Sequence, residues 1–158
     1  MLEEQRLDSV HDCAGFFCGV PALDEYLRKF ASPHRRRGVS QTYVLVESRE
    51  ASRVLGYYAL SAAQLEVAAL TEADRKRLPR YPVPCIRTGR FAMSLSKRGQ
   101  GLGKLLIGAA VDRCLKTRQE VAAYALIVGA KDRTAAEFYE HYGLVRCRDA
   151  AQTLRLPL

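Results

Sequence analysis

Arg98-Gly99-Gln100-Gly101-Leu102-Gly103 follows an apolar, strand-like run, Phe91-Ala92-Met93-Ser94-Leu95. It opens a segment whose apolar residues recur with helical spacing: Leu102, Leu105, Leu106, Ala109, Ala110 and Cys114. Glycines at a strand-to-helix turn let the backbone come close to a ligand, and N–H groups at a helix start attract phosphate. No Lys-Ser or Lys-Thr pair follows, so this is not a nucleoside-triphosphate loop, and the glycine spacing is not that of a dinucleotide fingerprint. What remains is an Arg-x-x-Gly-x-Gly turn suited to a pyrophosphate held without a metal.

Outward from the turn, the helix is expected to run to about Lys116 and a doubly buried strand to span Val121–Val128. Asp132 is placed to cap a second helix reaching about Tyr142, which Gly143 ends. Short strands are expected at Leu144–Cys147 and Thr153–Leu156. On the N-terminal side, Pro79, Pro82 and Pro84 break the chain before a strand at Cys85–Leu95. Thr71-x-x-Asp74 reads as a helix start, and Tyr43–Glu47 and Val54–Ala63 as antiparallel strands. Pro21 opens a helix striped by Leu23, Tyr26, Leu27, Phe30 and Ala31, which Pro33 and Gly38 should break. A short strand is expected near Arg6–Val10. Strands come first and then alternate with helices, which predicts a mixed α/β sheet with one central parallel pair.

The chain has 158 residues, 48% of them hydrophobic, which suits one compact core. No apolar stretch is long enough for a membrane span and the start, Met-Leu-Glu-Glu, is no signal peptide, so a cytoplasmic location is expected. Five cysteines with no Cys-x-x-Cys pair argue against a disulfide framework and a zinc site, and no metal is expected. Cys114 falls on the apolar face of the helix, as a buried thiol. The formal charge of +8 favours an anionic partner. Lys29, Arg35, Arg36 and Arg37 cluster at one helix end, where they either cap that end or touch phosphate. Arg75, Lys76, Arg77 and Arg80 form a second cluster, and Arg87 and Arg90 a third.

The turn resembles the acyl-CoA-binding loop of the GNAT superfamily of N-acetyltransferases, whose pattern Arg98, Gly101 and Gly103 match. Asp132-x-x-Ala135-x-x-Phe138-Tyr139, then Tyr142-Gly143-Leu144, is similar to a second segment of that superfamily, departing by Asp for Asn at 132 and Leu for Phe at 144. Phe17 to Leu27, Ser40 to Tyr43, Gly56 to Ser61 and Val83-Pro84 leading to Gly89–Ala92 further resemble the acetyltransferase toxins of bacterial type II toxin–antitoxin pairs. The resemblance implies one acetyltransferase domain over residues 1–158. Its α/β (α+β) sheet would be mixed and mostly antiparallel, with a splayed central parallel pair flanked by helices. It also implies acetyl-CoA as acetyl donor, aminoacyl-tRNA as acceptor, a cognate antitoxin of the ribbon-helix-helix type and a homodimer.

Residue by residue, the resemblance implies that Phe91, Ala92 and Met93 offer backbone N–H groups to the thioester and pantetheine. Arg98, Gly99, Gln100, Gly101, Leu102, Gly103 and Lys104 would wrap the pyrophosphate. Asp132 and Phe138 would also line the cofactor, and Tyr139 would protonate the leaving thiolate. Tyr142, one turn on, competes with Tyr139 for that role. Lys29, Arg35, Arg36, Arg37 and Arg90 would meet the nucleic acid. A thiol near 8.5 and a phenol near about 10 let Tyr139 hold a proton at neutral pH. No acidic residue stands out as general base, although Glu47 and Glu66 are possible by position. An α-amine, at about 7.7–8.0, has a useful neutral fraction unaided, whereas lysine near about 10.4 needs help. Two other readings stay open at this point: an acetyltransferase of small amines or protein N-termini, and a non-catalytic acyl-CoA- or nucleic-acid-binding module.

Overall fold

The computed structural model describes residues 1–80, 82–97, 99–148 and 152–158. Strand β1 (Leu2–Arg6) precedes a helical run made of α1 (Pro21–Glu25), a π turn (Tyr26–Phe30) and α2 (Ala31–Arg36). Then come β2 (Gln41–Glu47), β3 (Gly56–Leu65), α3 (Glu72–Arg77), β4 (Val83–Met93) and α4 (Leu102–Thr117). The chain closes with β5 (Ala125–Gly129), α5 (Arg133–His141), β6 (Val145–Arg146) and β7 (Thr153–Pro157). The strands form one sheet in the order β1-β2-β3-β4-β5-β7-β6. β1 with β2, β2 with β3, β5 with β7 and β6 with β7 are antiparallel. The parallel pair is β4 with β5. It runs only from Cys85 opposite Ala125 to Thr88 opposite Val128, while β4 itself continues to Met93. This is the mixed, mostly antiparallel sheet with a central parallel pair that was expected.

Two compact units make up the chain. The first comprises residues 1–61 and 89–110, the second residues 62–88 and 111–158. The first packs Leu7, Phe16, Tyr26, Leu27, Val44, Val46 and Tyr57 into one apolar cluster. β2 is buried throughout its middle, Thr42 to Val46, because both of its faces are covered. The second has its own cluster, with Leu65, Leu70, Val83, Cys85, Ala125 and Ile127. In that unit Asp74 of α3 meets the nearly buried Arg155 of β7 at 3.4 Å. Two helix starts are capped as the sequence implies: Thr71 accepts from the Asp74 N–H and Asp132 from the Ala135 N–H.

β3 and β4 are each shifted by two residues from the strands expected at Val54–Ala63 and Cys85–Leu95, and three other boundaries differ in kind. The first strand lies at Leu2–Arg6, because Asp8 to His11 form a turn in which the Asp8 N–H donates to His11 Nδ1 at 3.0 Å. The first helix runs past Pro33. The π turn, in which the Ala31 N–H reaches the Tyr26 carbonyl, loosens the ladder where the proline ring would meet the carbonyl four residues back. The strand expected from Val121 begins at Ala125. The N–H groups of Arg118 to Val121 are taken by carbonyls at the end of α4, and Val121 is 69% exposed.

Candidate acyl-transfer site

In the first unit, the end of β4 leads into the glycine turn. Ala92 is buried in the apolar cluster, while Phe91 and Met93 are half-buried. Beyond Met93, the Ser94 N–H donates to the Leu55 carbonyl at 2.8 Å and the Leu95 N–H to the Phe17 carbonyl at 3.0 Å, so the exit from the strand is pinned on both sides. Gly99 and Gly101 take φ values of +80° and +76°, a region that strains any other residue. A Cβ built on either would meet nothing within 4 Å, so the turn opens onto free space. The α4 ladder begins with the Leu105 N–H reaching the Gly101 carbonyl at 3.4 Å. The N–H groups of Leu102, Gly103 and Lys104 therefore precede the ladder at the positive end of a sixteen-residue helix. Leu102 and Gly103 are buried, while Gln100 and Lys104 are exposed. Left-handed glycines, N–H groups that precede the helical ladder and an exposed ammonium fit a pyrophosphate. Arg98 lies outside the described residues.

The second unit carries Asp132, Phe138 and Tyr139. Asp132 Oδ1 accepts from the Ala135 N–H at 2.8 Å, so one of its oxygens is occupied by the cap. Phe138 packs edge-on against both Tyr139 and Tyr142, at 5.4 and 5.0 Å between ring centres. Tyr139 is 7% exposed, and burial pushes its phenol up to about 12. Tyr142 is half-buried. Glu47 is bonded to the N-terminal ammonium, which holds its carboxyl below the usual range, and Glu66 is exposed. All five cysteines are free thiols, and Cys114 is wholly buried.

The basic residues divide by environment. Arg36 and Arg37 are exposed, Lys29 pairs with Glu25 at 3.6 Å, and Arg35 donates to the Leu7 carbonyl at 2.6 Å. Arg90 sits 4.0 Å above the ring of Tyr26. That contact was not legible in the sequence, where Tyr26 read only as part of an apolar stripe. Arg75, Lys76 and Arg80 line an open cavity of about 770 Å³ beside Glu72, Leu78 and Pro79.

The sequence profile of the acetyltransferase (GNAT) domain matches residues 24–154. The chain belongs to the GNAT acetyltransferase family. This GNAT chain is 33% identical over 138 residues to a tRNA-acetylating toxin of Mycobacterium tuberculosis (strain ATCC 25618 / H37Rv), across 87% of its own length and 81% of the relative's. It superposes on AtaT complexed with acetyl-methionyl-tRNAfMet with a TM-score of 0.92 and 28% identity, covering 99% of this chain and 95% of that one. A mutant AtaT toxin bound to the C-terminus of the antitoxin AtaR and acetyl-CoA matches with a TM-score of 0.83 and 26% identity, over 99% and 92% of the two chains.

Proposed function

We propose that this chain is an acetyl-CoA-dependent N-acetyltransferase toxin. It acetylates the α-amino group of aminoacyl-tRNA, so blocking translation, and a cognate antitoxin neutralises it. The observation that carries the reading is the left-handed, open glycine turn feeding the start of α4, in a chain similar over most of its length to a tRNA-acetylating toxin. Residues 1–158 act as one catalytic domain. Bound acetyl-CoA supplies the activated thioester. Arg98 to Lys104 hold its pyrophosphate, and Phe91, Ala92 and Met93 align the pantetheine and thioester, with Asp132 and Phe138 beside the arm. Tyr139 keeps its proton at neutral pH and holds it for the departing thiolate. No acidic residue stands out as general base, so an acceptor amine that is partly neutral near pH 7 suits this set of residues better than a lysine side chain.

Arg36, Arg37, Lys29, Arg35 and Arg90 meet the tRNA in this reading. A ribbon-helix-helix antitoxin, a homodimer and a cytoplasmic site of action complete it, supported by the toxin resemblance. Among the described residues no helix is long and apolar enough to cross a membrane, which is compatible with that location. The test is transfer of labelled acetyl from acetyl-CoA to a panel of charged tRNAs, free amines and peptides. Label on charged tRNA at an efficiency well above that on the other acceptors supports the proposal. Label confined to free amines or peptides sinks it.

A further inference from the structure

We infer that Phe30, His34 and Arg90, built on the buried ring of Tyr26, form a stacking ledge for the unpaired nucleobases at the 3′ end of the RNA substrate. The inference rests on the aminoacyl-tRNA reading and adds to it how the acceptor end is held. Tyr26 is 3% exposed and held at its hydroxyl and along the face of its ring. Its hydroxyl lies 2.6 Å from Ser40 Oγ and 3.1 Å from His34 Nδ1, and its ring stacks on Tyr57 at 6.5 Å. On this base sit Phe30, near-parallel at 6.4 Å, His34, edge-on at 5.4 Å, and the Arg90 guanidinium at 4.0 Å.

Phe30 is 44% exposed, and Arg90 is exposed with no acidic partner within ion-pair distance among the described residues. A phenyl ring left in water on a rigid support, beside a planar cation, matches how proteins bind single-stranded RNA: bases stack on aromatic or guanidinium planes while nearby cations follow the backbone. Lys29, Arg36 and Arg37, exposed on the same helical run, are those cations. The π turn at Tyr26–Phe30 sets the spacing of Tyr26, Phe30 and His34, and such turns are often found at functional sites.

Position adds to composition. Arg90 immediately precedes Phe91–Met93, so the ledge lies within roughly 10 Å along β4 of the backbone assigned to the thioester. An aminoacyl ester carries its amine on the 3′-terminal ribose, next to the base that the ledge would stack. A base seated here brings the amine towards the acetyl group without reading its sequence.

The experiment uses charged tRNA whose terminal adenosine is replaced by 2-aminopurine, with Phe30→Ala, Phe30→Tyr and Arg90→Ala beside the parent. Acetyl-CoA affinity by calorimetry is the folding control. The parent and Phe30→Tyr should quench the 2-aminopurine on binding. Phe30→Ala and Arg90→Ala should lose the quench and raise KM for charged tRNA by about 5- to 150-fold, the range of one base stack. Unchanged quench and KM in both alanine variants would overturn the ledge while leaving the function intact. A change in oligomeric state on Phe30→Ala, seen by sedimentation, would assign the exposed ring to a second copy of the chain and also overturn it. A parent that acetylates no charged tRNA would overturn both readings.

Discussion

Tyr139 and its neighbour Tyr142 differ mainly in burial, and that difference sets what each can do. Tyr139→Phe keeps the ring in its packing and removes only the proton, so kcat should fall about 10²–10⁴-fold with acetyl-CoA affinity retained. The same loss in Tyr142→Phe, with Tyr139→Phe active, would show that the other phenol is the acid. Because burial pushes the Tyr139 phenol up to about 12, the tyrosine should stay protonated through the assay range. The rate should instead rise with pH as the acceptor amine loses its proton, levelling off below about 7.7–8.0 because the adjacent ester lowers the pKa of that amine. Cys114 gives a stability counterpart. Burial raises its thiol from the ordinary 9.0 to about 12, so the folded state holds the proton more tightly than the unfolded chain. Its contribution is complete below pH 9 and is lost as pH rises towards 12. The slope is at most about 1.4 kcal/mol per pH unit. Cys114→Ala should flatten the fall of melting temperature between pH 9 and 11, and an unchanged slope would assign the alkaline loss to other groups. At this scale the sequence named Tyr139 because it lies inside a local motif. It could not reveal Arg90 on Tyr26, since that contact joins residues from two distant elements.

The glycine turn and α4 act as one element, and two substitutions separate its conformation from its electrostatics. Gly101→Ala introduces strain at a φ of +76° without filling the turn. It should cost about 1–2 kcal/mol of stability. Gly101→Glu adds a negative charge where phosphates are assigned. Calorimetry should show acetyl-CoA binding weakened far more by Glu than by Ala, and equal losses would mean that the turn serves only the fold. Caps and this turn were legible because their chemistry is local: Thr71 and Asp132 each satisfy an N–H three residues on. β1 was misplaced because Leu2–Arg6 is a polar edge strand whose pairing with β2, not its own pattern, defines it. The start of β5 was misplaced because an apolar run does not show that carbonyls ending α4 claim the first of its N–H groups. The helix past Pro33 needed a π turn, which no hydrophobic period announces.

Over the whole molecule, the formal charge of +8 matters through the cations left facing solvent. Arg35 is partly engaged at the Leu7 carbonyl, so Arg36 and Arg37 are the cleaner test of the proposed phosphate contacts. Replacing both with Ala should flatten the log–log salt dependence of charged-tRNA binding by about 1.4–1.8, from 0.7–0.9 per phosphate. Identical slopes would assign them to the helix end. The order of strands and helices was legible because apolar runs and breakers alternate along the chain, and the parallel pair followed from that order. The partition into two compact units was not, since each unit gathers segments from both halves of the sequence. In the proposed function, acetyl passes to the α-amine of an aminoacyl ester. Charged tRNA is incubated with the protein and acetyl-CoA, the terminal aminoacyl-adenosine is released by nuclease, and its mass is read. An acetyl group is expected on the aminoacyl amine, dependent on Tyr139. An unmodified aminoacyl-adenosine, while a free amine or a peptide N-terminus takes the acetyl group under the same conditions, would contradict it.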